Sequence, residues 1–139
     1  MPRVVRLFRA PKRGWPMEEL PEVEAVLAVG FEGCAHRQAG GKRQVLLVDR
    51  ETLDALELGP GMIRENITTE GLNVNGLKEG ESLRVGDALL EVTMVCTPCS
   101  QMDDLRPGLR KEIRGRRRML CRILKGGIIR QGDGIEKLA

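Results

Sequence analysis

Leu83-Arg84-Val85-Gly86-Asp87-Ala88-Leu89-Leu90-Glu91-Val92-Thr93-Met94-Val95 is the stretch that decides the fold class of this chain. Two β-patterned runs flank a Gly-Asp pair, and that arrangement is a hairpin signal. The second run, residues 88–95, is apolar and partly β-branched and predicts a long strand. The same device recurs at Gly126-Gly127-Ile128-Ile129-Arg130-Gln131-Gly132-Asp133, so an antiparallel β architecture is expected. Outward from there, residues 4–8, 23–29, 44–48 and 119–124 read as further strands, the second closed by a turn at residues 30–33. Residues 62–68 read as extended and 69–71 as a turn. Residues 11–21 hold three prolines and a glycine and read as a loop or arm.

Two short helices complete the expectation. Asp49 is placed as an N-cap with Glu51 in the positive first turn, and Gly59-Pro60-Gly61 stops that helix. Pro107 opens a second helix over 107–114 and Gly115 closes it. Seven or eight short strands with two short helices predict a mainly β, compact barrel-like domain rather than a parallel α/β fold. One domain over residues 1–139 is expected, with its core at about 4–134.

Composition narrows the function classes. The 139 residues are 41% hydrophobic and 31% charged, a globular balance. The longest apolar run, residues 25–31, is far short of the ~20 residues that cross a bilayer, so no membrane span is expected. The N-terminus is broken by charge and carries no apolar signal core, which predicts an intracellular, cytoplasmic protein. Net charge is +3, from 23 Lys and Arg against 20 Asp and Glu. That excess does not argue for nucleic acid, and Phe8, Trp15 and Phe31 are too few platforms for stacking bases. The basic run Arg110, Lys111, Arg114, Arg116, Arg117 and Arg118 reads either as a solvated face or as a landing surface for an anionic cofactor or acidic partner.

Candidate chemistry is confined to a few residues. His36 is the one histidine and Ser82 and Ser100 are the two serines, with no nucleophile elbow around either serine. No phosphate-binding glycine loop follows a strand. Cys96-Thr97-Pro98-Cys99 follows the long strand directly. Structural zinc, thioredoxin-like exchange and a single thiolate for a soft metal or a sulfur atom are the chemical readings of that tetrapeptide. The bland one is a pair of small buried hydrophobes at a strand end. With Cys34 and Cys121 these are the four cysteines, expected to be reduced.

The order of motifs resembles the MOSC domain, named for the C-terminal domain of molybdenum cofactor sulfurase. Gly30-Phe31-Glu32-Gly33-Cys34-Ala35-His36 is similar to its G-x-x-G-D-x-H stretch, with Cys34 where the family commonly has Asp. Arg43-Gln44-Val45-Leu46-Leu47 is similar to the strand that follows, and Arg64-Glu65-Asn66-Ile67-Thr68-Thr69-Glu70-Gly71 to its R-x-N-[IL]-x-x-x-G segment. Leu83–Asp87 with Glu91-Val92-Thr93 is similar to its strand pair, Cys96-Thr97-Pro98-Cys99 to its C-x-P-C element, and residues 127–133 to its closing hairpin. The resemblance covers residues 4–134 and implies a barrel-like MOSC-type fold. It further implies that Cys99 is the catalytic cysteine and ligates molybdenum, with Arg64, His36, Asn66 and Cys96 around the cofactor. Arg64 suits phosphate because its planar fork binds it bidentately. Positive groups from residues 114–118, Lys42 or Arg43 are expected beside it. The implied function is a molybdenum-cofactor protein that reduces N-hydroxylated or N-oxide compounds with electrons from an external donor. The other implied function is a carrier that delivers the cofactor, or a Cys99 persulfide from an external sulfur donor, to a molybdoenzyme client. Pyridoxal phosphate is not expected, since the chain has no room for the sulfurase's desulfurase domain.

Overall fold

The strand pair around Gly86-Asp87 forms as read: β7 (Ser82–Val85) turns into β8 (Ala88–Cys96), with Val85 opposite Ala88 and Leu83 opposite Leu90. The structure is a computed structural model that describes residues 1–97, 101–114, 116 and 118–138. Around this hairpin lie β1 (Arg3–Arg9), β5 (Val45–Asp49), β6 (Ile67–Glu70), β9 (Arg118–Lys125), the two-residue β2 (Glu18–Glu19) and β11 (Ile135–Lys137). They make one eight-stranded sheet in the order β11-β7-β8-β9-β5-β6-β1-β2. β3 (Glu22–Val26), β4 (Gly30–Phe31) and β10 (Gly127–Arg130) form a second sheet in the order β10-β3-β4. The large sheet curls without closing. Its first and last segments meet at an isolated bridge, Arg3 to Gly134, reinforced by Val4 N donating to the Asp133 carbonyl (2.8 Å) and Ile135 N to that of Pro2 (3.0 Å). The mainly β, barrel-like expectation is met in class, as an open barrel.

β5 explains how the layers are built. Val45 and Leu47 point into a core with Leu7, Phe31, Ile67, Leu90 and Cys121, while Leu46 and Val48 point into a second cluster with Leu53, Ile63, Met102, Leu109 and Leu120. The strand is apolar at successive positions because both of its faces are covered. The outer cover is α1 (Arg50–Ala55), α2 (Gln101–Leu105) and α3 (Leu109–Glu112). Asp49 caps α1 as expected, its Oδ2 accepting from Thr52 N (3.3 Å). α1 also carries the chain between β5 and β6, which are parallel, since a parallel pair needs a crossover.

Four local readings are corrected. Residues 62–68 are not extended throughout: Arg64 N bonds the Gly61 carbonyl (3.1 Å) in a turn with Gly61 at φ +84° and Arg64 at φ +64°, and the strand begins at Ile67. Thr69 and Glu70 belong to that strand, because β1 and β5 flank it there. The expected helix over 107–114 is shorter, Leu109–Glu112, because Gly108 at φ +84° starts it; α2 was not anticipated, and Gly115 lies outside the described residues. Residues 127–137 turn at Asp133 but make no hairpin: β10 pairs with β3 and β11 with β7.

Candidate functional site

Cys96, the last residue of β8, is paired in register with Arg118, the first of β9. Beside them the start of β5, the Gly61–Arg64 turn and the loops at residues 35–38 and 13 enclose a cavity of about 520 Å³. That is within the usual size of a small-molecule site. It is a cationic cavity. Arg13, Arg43, Arg64 and Arg118 all line it, and no carboxylate is among its described lining residues. None of the four is ion-paired among the described residues, whereas Arg3, Arg6, Arg9, Arg50, Arg106, Arg122 and Arg130 are.

Arg118 is the least ordinary of them. It is 3% exposed, and its Nη2 has no hydrogen-bond partner among the described residues. A buried guanidinium nitrogen without an acceptor is costly unless a ligand supplies one. Glu65 is fully buried on the same side of the turn. Its Oε2 accepts from Gly61 N and Thr68 Oγ1 (both 2.8 Å), while Oε1 has no partner among the described residues. Burial pushes the Glu65 carboxyl up from the usual carboxylate range, and the Arg118 charge offsets part of that rise.

Arg64 reaches the cavity from a strained backbone. Left-handed φ is unfavourable for a side chain with a Cβ. Its Nη1 donates to the Trp15 carbonyl (2.8 Å) and its Nη2 lies 3.3 Å from His36 Nε2. Arginine only donates, so His36 Nε2 accepts and its proton sits on Nδ1. Burial first, then the Arg64 and Arg13 charges, hold His36 below the ordinary histidine pKa. His36 is therefore neutral at neutral pH.

The other sequence candidates fall into distinct roles. Cys96 is half-buried and lines the cavity. Cys99 lies outside the described residues. Asn66 lines the cavity too, but its amide is committed: Oδ1 accepts from Leu46 N (3.0 Å), and Nδ2 donates to the Phe8 carbonyl (3.2 Å) and Cys34 Sγ (3.5 Å). It is a strut between β1 and β5. Cys34 is buried, and its sulfur also accepts from Ala10 N and His36 N, each at 3.4 Å. The Cys34 sulfur thus serves as an acceptor that ties its loop to β1 and Asn66. Cys121 is buried in the core, where desolvation pushes its thiol far up. Arg43 and Arg118 line the cavity with Arg64, while Arg110, Lys111 and Arg114 line a separate groove with Asp103; the Cys99 beside which these cations were expected lies outside the described residues. Arg13 and Gln101 also line the cavity and were not anticipated; a lone arginine in a Pro- and Gly-rich loop carries no pattern that marks it.

With this geometry in hand, the comparisons with known proteins are decisive on family: the MOSC domain model matches residues 34–136. The chain belongs to the MOSC domain family. Solved structures agree on the fold. YiiM from Geobacillus stearothermophilus is similar at a TM-score of 0.83 and 19% identity, over 100% of this chain and 76% of that one. The YUAD protein from Bacillus subtilis is similar at 0.82 and 19%, over 97% and 94%. YiiM from Escherichia coli is similar at 0.74 and 18%, over 99% and 70%. No curated protein matches this MOSC chain in sequence. No helix among the described residues is long and apolar enough to cross a membrane.

Proposed function

We propose that this MOSC protein binds the molybdenum cofactor in the arginine-lined cavity and reduces N-hydroxylated or N-oxide compounds. The observation that carries the reading is the buried Nη2 of Arg118, without a hydrogen-bond partner among the described residues, in a cavity lined by four arginines that form no ion pair among those residues. A group with a phosphate and an anionic dithiolene fits such a donor set, because charge-assisted, forked hydrogen bonds are what guanidinium supplies. Arg118 and Arg64 hold the anionic parts, and Arg13 and Arg43 extend the positive field toward the opening. Gln101 offers an amide for a ring edge. Cys99 is the thiolate proposed to hold molybdenum, because thiolate is the ligand class that soft metal centres take. His36, neutral with its proton on Nδ1, orients Arg64 through Nε2.

When bound, the cofactor supplies two-electron reduction: the N–O bond breaks, two electrons and two protons are taken up, and water leaves. The electrons come from an external donor protein. The residues of the chain bind and orient the group.

The test is elemental analysis and pterin fluorescence of protein purified from a cofactor-producing host. Stoichiometric molybdenum with pterin is expected for the parent chain. Cys99→Ser should lose molybdenum, and Arg118→Met should lose both while remaining folded. A folded parent protein free of metal and pterin overturns the reading; a persulfide on Cys99 in such protein assigns the sulfur-carrier role instead.

A further inference from the structure

The arginine cavity holds a thiol that the proposed reduction does not use. Cys96 ends β8, is half-buried, and lines the cavity together with Arg118 and Leu120. Directly opposite residues of an antiparallel pair project to one face, with Cβ atoms about 4.5–5.5 Å apart. The register sets Cys96 opposite Arg118 and Met94 opposite Leu120, so thiol and guanidinium rise side by side from the same face of the sheet.

The surroundings of this thiol point to a ligand. Arg118 is 3% exposed, and its Nη2 has no hydrogen-bond partner among the described residues. Arg13, Arg43 and Arg64 line the same cavity, and no carboxylate is among its described lining residues. The other two described cysteines are placed differently. Cys34 is fully buried with its sulfur accepting from Ala10 N, His36 N and Asn66 Nδ2, and Cys121 is sealed in the core. A sulfur nucleophile that faces a cavity among guanidinium donors selects a reagent that carries negative charge beside its reactive atom.

We propose that Cys96 is a covalent capture site for small disulfides that bear carboxylates, the chemical class of oxidised glutathione. This chemistry needs no molybdenum and lies outside the proposed function. The carboxylates seat on Arg118 and its neighbouring guanidiniums through forked, charge-assisted bonds, which brings the disulfide to the Cys96 sulfur. The Cys96 thiolate attacks the nearer sulfur, the S–S bond of the reagent breaks, and the electron pair leaves with the farther sulfur. That leaving thiolate takes up one proton for the one Cys96 gave up, so a thiol and a disulfide become a mixed disulfide and a thiol. The captured half then occupies the cations, and adduct and free anion exclude each other. A reducing thiol reverses the exchange, so the cavity closes and opens with the balance of thiol and disulfide around it.

The test uses the full chain carrying Cys99→Ser, so that none of its outcomes depends on molybdenum. Iodoacetate and iodoacetamide share a leaving group and differ in charge, and peptide mass spectrometry reads their rates at Cys96. The ratio of the iodoacetate rate to the iodoacetamide rate should be at least about tenfold higher in the folded chain than in the same chain unfolded in urea, the lower end of what a charged cleft supplies. In the further variant Arg13→Gln with Arg43→Gln, both at exposed positions that the fold tolerates, that enhancement should fall to about threefold or less. Oxidised glutathione should add one glutathionyl group at Cys96 and weaken inorganic phosphate binding at least about tenfold, and a reducing thiol should restore it. A rate ratio no higher in the folded chain, or an enhancement that survives loss of the two arginines, overturns the proposal. Phosphate binding that persists unchanged on the glutathionylated chain overturns it as well.

Discussion

Arg64→Gly separates the strain at the site from its function. Arg64 holds φ +64°, a conformation that costs a residue with a Cβ about 1–2 kcal/mol. Glycine removes that cost and adds about 0.5–1 kcal/mol of unfolded-state entropy. The bonds to the Trp15 carbonyl and His36 are lost, together about 1 kcal/mol for a partly exposed guanidinium. The terms nearly cancel, so Arg64→Gly should lie within about 1 kcal/mol of the parent, a shift of only a few degrees in Tm. Arg64→Ala loses the same bonds and keeps the strain, and should be the less stable of the two by about 0.5–1 kcal/mol. Both variants remove one of four cations from the cavity, and a charge-assisted bond is worth about 1.5–3 kcal/mol. Because Arg64 is partly solvated the lower end applies, which weakens inorganic phosphate or pyrophosphate binding roughly tenfold. Thermal melts and calorimetric titration on the three proteins decide it. If alanine is more stable than glycine, the left-handed backbone is not a constraint. If anion affinity is unchanged in both, Arg64 is not part of the anion site.

Three further outcomes are expected. Glu65 has a raised carboxyl, so the folded state keeps a proton that the unfolded state releases; stability therefore falls as pH rises from the ordinary carboxylate value through the raised one. Glu65→Gln should melt above the parent at about pH 8 and converge with it near about pH 4, and a parallel pair of curves refutes the assignment. His36 is held neutral, so below its lowered pKa it gains a charge and adds a fifth cation to the cavity. Sulfate, which does not titrate between about pH 5 and 8, should bind more tightly as pH falls, and His36→Gln should flatten that profile. Among the three described cysteines, native-state alkylation followed by mass spectrometry should label Cys96 first, since Cys34 and Cys121 are fully buried; prompt labelling of Cys121 would contradict the core packing.

The β7–β8 hairpin was legible because a Gly-Asp turn and its flanking runs are local chemistry. The Asp49 cap was legible for the same reason. The Arg64 turn was not: nothing in Met62-Ile63-Arg64 announces a left-handed arginine, and the close approach of Gly61 to Phe8, a residue far away in sequence, is a tertiary contact that local pattern does not carry. The split of β10 and β11 onto different partners was equally hidden, because a turn signal says that the chain reverses and not which strands receive it. In the site, the motif order pointed to His36, Arg64 and Cys96, which the fold does bring to one cavity. Asn66 was legible as a residue of that region, but only its three partners show that its amide is occupied in joining strands. Arg118 was one cation in a basic run; its distinction comes from the inward pleat at the start of β9.

The seam at which Pro2 and Val4 meet residues 132–135 has a kinetic meaning. Gly132 N donates to the Val4 carbonyl (2.8 Å) and Val4 N to that of Asp133, so β1 is fastened by a segment far away along the chain. Pairings this distant are slow to form because the whole intervening loop must be ordered first. Until residues 132–135 are in place, β1 lacks that partner, and neither Phe8 within it nor the Arg13 loop after it has that anchor. Ligand capture is then a step that follows closure of this seam, and a variant in which the seam cannot close should lose anion binding although no cavity residue is altered.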